Sequence, residues 1–350
     1  MEIVHEVNQL DFGGVEKVVR NIIKYDKKNT HTIIAYEDGK FRKNLEEVGA
    51  KILMAPKDGE TDLDIAADVI HIHSGGGLSQ LAADVNGSFP VIETIHSPIR
   101  SPIPSKLISR RVGVCEAVAR KNSNAIFIRN GIEVEDPTRP REEMLAELGI
   151  PAGVPVVGRL GRLGYDKGLE EWLLACYYLQ KKGFNFVPLI VGDEARDAKG
   201  YRGNLKLIAE SLPVKNVIFV ENKEDISNYL QLMDVFLYPS ATEGFGLVIA
   251  EAIYNECVVV AYKNEVSMEL FAGYALLADK ERGIPELVRL VEHALYDSNI
   301  QDEVKGIGPA FIQSEYDAER MSLEYQELYE SCHADFIRKN KPQAVDVVSA

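Results

Sequence analysis

Short runs of apolar, often β-branched residues recur along the chain, and between them apolar positions return every three or four residues. The runs fall at 2–7, 31–36, 51–54, 68–73, 90–95 and 125–128, then at 154–160, 186–191, 216–220, 233–238, 257–262 and 274–277. Most are continuous rather than alternating, as expected of strands covered on both faces of a parallel sheet. The segments between them read as helices. In the first, Val15, Val18, Val19, Ile22 and Ile23 form one apolar face. This strand–helix rhythm predicts an α/β chain built on parallel sheets.

A chain of 350 residues exceeds one compact core. Its two groups of strands are separated by the polar, proline-containing stretch EVEDPTRPREE at 133–143, the composition of a domain boundary. The expectation is therefore two doubly wound, Rossmann-like domains, residues 1–140 and 141–315, facing each other across a cleft. A long helix is expected over 316–338, followed by a tail, 340–350, too poor in apolar residues to order itself. In doubly wound sheets, ligands bind beyond the carboxyl ends of the strands.

Composition fits a globular protein, with 46% hydrophobic and 27% charged residues. No run reaches the length of a membrane span. The opening EIVHEV reads as a strand, not a secretory leader. Cys115, Cys176, Cys257 and Cys332 are widely spaced, with no CxxC pair; they are expected to be reduced thiols in a cytoplasmic protein. The net charge of −15 is uneven. Through residue 145 there are 19 Lys and Arg against 22 Asp and Glu, leaving 20 against 32 for the remainder. The acidity belongs to the second half, and the first carries local basic clusters.

Five stretches at strand ends carry candidate chemistry. Gly13 and Gly14 precede the first helix, where glycine lets the backbone approach a ligand and free N–H groups face an anion; a plain tight turn explains them equally well. His71 and His73 lie on one face of a strand that enters the glycines of HIHSGGG. They could form part of a metal site, but no third ligand is apparent, so no metal is expected. His96 ends the apolar run before Ser97-Pro98. In VPVVGRLGRLGYDKGLEEWL, Arg162 and Lys167 occupy a glycine-broken loop between a strand and a helix, an arrangement suited to a diphosphate. In YPSATEGFGLVIAEAIYNE, Glu243 precedes a helix and Glu251 lies within it, so two carboxylates approach the ligand edge with the free N–H groups around Phe245 to Leu247. A carboxylate accepts two sugar hydroxyls at once. A glycosidase acid pair is the competing reading, but it does not call for phosphate-gripping cations.

Together these residues resemble a known family, the retaining glycosyltransferases of the group 1 (family 4) type with the GT-B fold. The resemblance rests on Gly13-Gly14-Val15-Glu16, Thr94-Ile95-His96, Asn130-Gly131-Ile132, Gly161-Arg162 with Lys167-Gly168, Val191-Gly192-Asp193, and Glu243-Gly244-Phe245-Gly246 with Glu251-Ala252. It spans nearly the whole chain. It implies that Arg162 and Lys167 bind the donor diphosphate, Glu251 holds the nucleotide ribose and Glu243 contacts the transferred sugar. Gly244, Phe245, Gly246 and Leu247 would complete the donor site. His96 and the Gly13-Gly14 loop would line the acceptor side and the phosphate. The donor would be a nucleoside-diphosphate sugar carrying a hexose-type sugar, with no cofactor and no metal.

The acceptor is less defined. Lys17, Arg20, Lys24, Lys27 and Lys28 recur on the polar side of the first helix, where a solvated face is an adequate explanation. Arg100, Lys106, Arg110 and Arg111 follow His96 and, with His73, are candidates for the acceptor side. They point to an anionic acceptor (lipid, saccharide or nucleic acid) and to peripheral membrane or nucleic-acid contact through the first domain. Two alternatives share the fold: a catalytically inactive sugar-nucleotide-binding protein, which should have lost the Arg, Lys or Glu residues, and a sugar-nucleotide epimerase, which should carry more acids in the first domain.

Overall fold

The continuous apolar runs become two parallel sheets in the computed structural model, which describes residues 1–55, 66–74, 79–85, 87–221 and 224–340. The first sheet holds β1 (Glu2–Gln9), β2 (Thr30–Glu37), β3 (Lys51–Met54), β4 (Val69–Ser74), β5 (Val91–Ile95), β6 (Arg110–Gly113) and β7 (Ala125–Phe127). Its order is β3-β2-β1-β4-β5-β6-β7. The second holds β8 (Val156–Leu160), β9 (Val187–Val191), β10 (Ile218–Val220), β11 (Val235–Tyr238), β12 (Val258–Tyr262) and β13 (Leu276–Ala278), in the order β10-β9-β8-β11-β12-β13. Each sheet starts at an inner strand, winds outward to one edge, then returns to the other side of that strand. The switch points lie between β1 and β4 and between β8 and β11, and both sheets are doubly wound and Rossmann-like.

One strand, β6, was not expected from the sequence. Its residues Arg110 and Arg111 break the apolar pattern, and Arg111 is tolerated because its Nε donates to Glu93 Oε2 on β5 at 2.9 Å.

The chain divides into two compact units: Met1–Gly131 with the segment from Ala318 onward, and Ile132–Asp317. The stretch expected to end the first domain at residue 140 is tied to the second unit. The backbone N–H groups of Thr138 and Arg139 both donate to Asn228 Oδ1 at 2.9 Å, and the Arg141 guanidinium bonds Asp234. In the first unit, Val4, Ile70, Ile72 and Val91 pack on one side of the sheet; Val7, Leu10, Val19 and Ile33 pack on the other. The second unit has a core around the fully buried Trp172, with Val157, Ile190, Leu237 and Val260.

The last helix, Ala318–Asn340, belongs to the first unit, where Ser322 Oγ donates to the Ile22 carbonyl at 2.8 Å. Of the tail expected to be disordered over 340–350, Asn340 instead ends this helix, and residues 341–350 lie outside the described residues, as does the glycine loop 75–77. All four cysteines are buried free thiols. No described helix is long and apolar enough to cross a membrane.

Candidate active site

The loops after β8, β9 and β11 meet in the second unit because glycines let their backbones touch. Gly168 sits at φ +65°, and a Cβ there would collide with the Pro239 carbonyl; a Cβ on Gly192 would meet the Gly161 carbonyl. The amide of Leu163 donates to Asp193 O at 2.8 Å, fastening the first two loops together. Gly168 then caps the Leu169–Lys181 helix, and Lys167, just before it, faces the third loop.

Lys167 Nζ lies 2.8 Å from Glu243 Oε1 and 3.1 Å from Asp166 Oδ2. The same Glu243 oxygen accepts from Ser240 Oγ at 2.7 Å and from Tyr238 OH at 2.9 Å. Three donors therefore fix one oxygen and leave Oε2 as the carboxylate's other acceptor. Arg162 is exposed in the same loop. Burial works to raise the Asp166 carboxyl, but the charges of Lys167 and then Arg162 hold it below its ordinary value. The sequence-derived trio of Arg162, Lys167 and Glu243 is thus brought together, with Asp166 among them.

Glu243 lines a depression with Tyr238, Ser240, Phe245, Asn264 and Ser267. Glu251 is 93% buried in the Leu247–Tyr254 helix and does not line that depression. Gly246, at φ +83°, caps this helix, and Leu247 is its first residue. The Phe245 ring packs edge-on against Tyr316, with centroids 5.6 Å apart, so this side chain anchors the loop. Gly244 lies half-buried between Glu243 and Phe245.

Sequence reasoning missed Arg159. It is fully buried on β8, its Nη1 donates to Gly161 O at 2.6 Å, and its guanidinium lies 5.5 Å from the Tyr238 ring centre. Nε and Nη2 have no hydrogen-bond partner among the described residues. Burial pulls its pKa down, opposed by Tyr238, Glu243 and Asp166. The signal was present: one arginine in the otherwise apolar VVGRL.

In the first unit, Gly13 caps the Gly14–Tyr25 helix, and Gly14 is its first residue. A Cβ on Gly13 would collide with the Glu16 carboxylate, which is itself buried, so an acidic side chain already sits at this helix start. His96 directly follows β5, and His73 lies on β4 beside Thr94. Arg100 and Lys106 are exposed.

Arg110 and Arg111 do not join them. In the parallel register Arg110 pairs with Ile92 and Arg111 with Glu93, at the start of β5, whereas His96 follows the end of that strand. The side chain of Arg111 is 8% exposed and committed to Glu93, Ser105 Oγ and Ile103 O. The register therefore sets both arginines toward the start of β5, away from His96 at its end.

Five of the chain's seven histidines form one cluster, of which His5 and His31 were not recognised from the sequence. His5 on β1 is the third imidazole that the His71–His73 pair lacked; one nitrogen of each lies within 4.8 Å of the others. These nitrogens are engaged elsewhere. His71 Nδ1 and Nε2 hydrogen-bond Tyr329 OH at 2.8 Å and Thr94 Oγ1 at 2.7 Å. His5 Nε2 pairs with His31 Nδ1 at 2.9 Å, and its Nδ1 with His73 Nε2 at 3.1 Å. His73 Nδ1 pairs with His96 Nε2 at 3.2 Å. Burial pushes His5, His71 and His73 well below the ordinary histidine range, and His96 down to about 4.

Residues 140–308 match the family model for glycosyl transferases group 1. The capsular polysaccharide biosynthesis glycosyltransferase CapM of Staphylococcus aureus is 21% identical over 50% of this chain and 45% of its own. The lipopolysaccharide core biosynthesis mannosyltransferase LpcC of Rhizobium leguminosarum bv. viciae is 26% identical over 45% of this chain and 47% of its own. The chain spans about half the length of these curated relatives. Among solved structures, Anabaena Alr3699/HepE in complex with UDP and glucose superposes with a TM-score of 0.80 at 20% identity, covering 95% of this chain and 100% of that one. The second unit thus matches the glycosyl transferases group 1 model over residues 140–308, and the two doubly wound sheets share the GT-B fold of these solved structures.

Proposed function

We propose that the chain is a retaining, metal-independent glycosyltransferase that moves a hexose-type sugar from a nucleoside diphosphate to an acceptor hydroxyl. The observation that carries this reading is the 2.8 Å contact between Lys167 and Glu243. It joins the loop suited to phosphate with the loop suited to sugar hydroxyls, at the carboxyl ends of adjacent strands β8 and β11. Arg162 and Lys167 hold the diphosphate, where negative charge grows as the sugar–phosphate bond breaks. Glu243, fixed through Oε1, offers Oε2 to the transferred sugar. Glu251 holds the ribose. The diphosphate oxygen that leaves the sugar receives the acceptor proton on the same face, so the anomeric configuration is kept.

UDP is the first base to test, because HepE is a structural neighbour that binds UDP and glucose. Saccharide hydroxyls are the acceptor class to test first, because CapM and LpcC serve polysaccharide and lipopolysaccharide synthesis. The experiment is thermal unfolding with UDP-, GDP- and ADP-sugars, followed by transfer assays in EDTA. One nucleotide class should raise Tm by mass action, and transfer should proceed with the donor's anomeric configuration preserved. A Tm indifferent to all three classes, or transfer that requires Mg²⁺ or Mn²⁺, would overturn the corresponding part of this reading.

A further inference from the structure

Arg159 is a costly residue where it stands. In the parallel register it pairs with Ile190 of β9, and Val157, two positions earlier on the same face, belongs to the apolar core of the second unit. A buried guanidinium is tolerated when its N–H groups and its charge are met. Here only Nη1 is engaged, by the Gly161 carbonyl, and the Nε–Nη2 edge has no hydrogen-bond partner among the described residues. The two carboxylates whose charges act on Arg159, Glu243 and Asp166, are each paired with Lys167. An apolar side chain of similar length would pack there without the desolvation cost. Packing alone therefore does not account for this arginine.

What Arg159 does hold is one peptide group. Gly161 directly follows β8, and its φ of +125° is a backbone conformation that favours glycine. Its amide donates to Val191 O at 2.9 Å, and its carbonyl turns inward to accept from Arg159 Nη1 at 2.6 Å. Gly192 flanks the same carbonyl so closely that a Cβ there would collide with it. The C=O and N–H of a trans peptide point in opposite directions, and no described peptide bond is cis. With the Gly161 carbonyl fixed on a fully buried guanidinium, the N–H of that same peptide, which belongs to Arg162, faces outward. No acceptor among the described residues takes it, whereas the amides on either side, Gly161 and Leu163, donate to Val191 O and Asp193 O.

We propose that Arg159 is a positioning residue for anion binding: by anchoring the Gly161 carbonyl it aims the Arg162 backbone N–H at the phosphate oxygens of a diphosphate. One short loop then presents three donors of different kinds, a fixed amide, the Arg162 guanidinium and the Lys167 ammonium. The amide needs no reorganisation as negative charge grows on the diphosphate, which is where a preoriented dipole is most effective. The unpaired charge of Arg159 adds to the field at the loop, undiluted by water. Fully buried, Arg159 does not touch the ligand and acts through Gly161. The inference rests on the assignment of the diphosphate to the Arg162–Lys167 loop, and adds to it a backbone donor and the side chain that aims it.

Inorganic pyrophosphate is the probe, because it tests the loop without a base, a sugar or turnover. The full chain, labelled with ¹⁵N-arginine, is titrated in its wild-type, Arg159→Met and Arg159→Lys forms, with affinity measured by calorimetry and the Arg162 amide followed in ¹H–¹⁵N spectra. In the wild type that amide should shift along the calorimetric saturation curve. Arg159→Met should weaken pyrophosphate about 10- to 100-fold, the value of a hydrogen bond to a charged acceptor, and at saturation its Arg162 amide should stay close to the unbound position. Arg159→Lys, which keeps the charge and a donor for Gly161 O, should recover a large part of both effects. A residue that merely braced the fold would change stability without changing which donor the anion meets. A wild-type Arg162 amide unmoved by pyrophosphate, or Arg159→Met binding as tightly as the wild type, would overturn the inference. The wild-type titration decides even where Arg159→Met fails to fold. Spectra as expected in a protein that transfers no sugar leave the positioning role standing and remove the proposed activity; sugar transfer with an Arg162 amide blind to pyrophosphate does the reverse.

Discussion

Lys167 Nζ and Glu243 Oε1 lie 2.8 Å apart, with only 15% and 16% of their side chains exposed. This pair connects the two loops to which the donor is assigned. Lys167→Met removes the cation but leaves Glu243 its Tyr238 and Ser240 donors. Stability should fall by about 1–2 kcal/mol, while kcat/KM falls about 100-fold or more through lost charge stabilisation. Urea unfolding and steady-state kinetics on one preparation check this. A variant with intact turnover would remove Lys167 from the diphosphate site.

Glu243 and Glu251 occupy different environments, one lining the depression and one buried within the Leu247–Tyr254 helix. Glu251→Gln should weaken bare nucleoside diphosphate about 10- to 100-fold, the value of a charged hydrogen bond of about 1.5–3 kcal/mol. Glu243→Gln should leave that affinity nearly unchanged and lower transfer instead. Calorimetry with the nucleoside diphosphate separates them, and equal weakening in both variants would place the two carboxylates in one subsite.

Arg111 and Glu93 form an ion pair inside the first unit, with side chains 8% and 0% exposed. Arg111→Met strands a buried carboxylate and should cost about 3–5 kcal/mol. Adding Glu93→Gln should recover a large part of that loss, because the unpaired charge goes with it. Denaturant midpoints of the single and double variants measure the coupling. A single variant as stable as the wild type would return Arg111 to the list of ligand-binding candidates.

The pH dependence of stability follows from the histidine layer. His5, His71, His73 and His96 all have folded pKa values below the unfolded value of about 6.5. Above that value both states are neutral, and the stability is fully present. As pH falls below it, the unfolded chain gains protons that the folded chain resists, so stability declines toward the folded values, about 4 for His96. Each such group adds a slope of about 1.4 kcal/mol per pH unit. Urea unfolding between pH 7.5 and 5 should reveal a loss steeper than one group supplies, whereas a flat profile would mean that the layer takes up protons without unfolding.

The sequence was most legible where function follows local order. The strand VFLY, the loop to Gly246 and the helix from Leu247 are consecutive, so the placement of Glu243 before the helix and Glu251 inside it could be read directly. It was least legible where contacts depend on the pairing of distant strands. His5 meets His31 across 26 positions and His73 across 68, a match that only the sheet register creates. Likewise, β6 is hidden because Arg110-Arg111 reads as polar until Glu93, 18 positions earlier, comes alongside. Arg159 was visible as an anomaly in an apolar strand, but its burial beneath the Gly161 loop was not.

The return of the last helix to the first unit has a consequence for how the molecule is made. Tyr329 and Tyr325, which satisfy His71 and Thr94, are translated after the whole of the second unit. The unit begun first on the ribosome is therefore the one completed last. The continuous segment Ile132–Asp317 has every contact of its own core available once it has emerged, while the histidine layer waits, with hydroxyl partners missing, until the helix after Asp317 is made. A chain released early by a nonsense codon before the last helix would contain all the donor-site residues named above, yet leave uncovered the sheet face that carries the buried imidazoles.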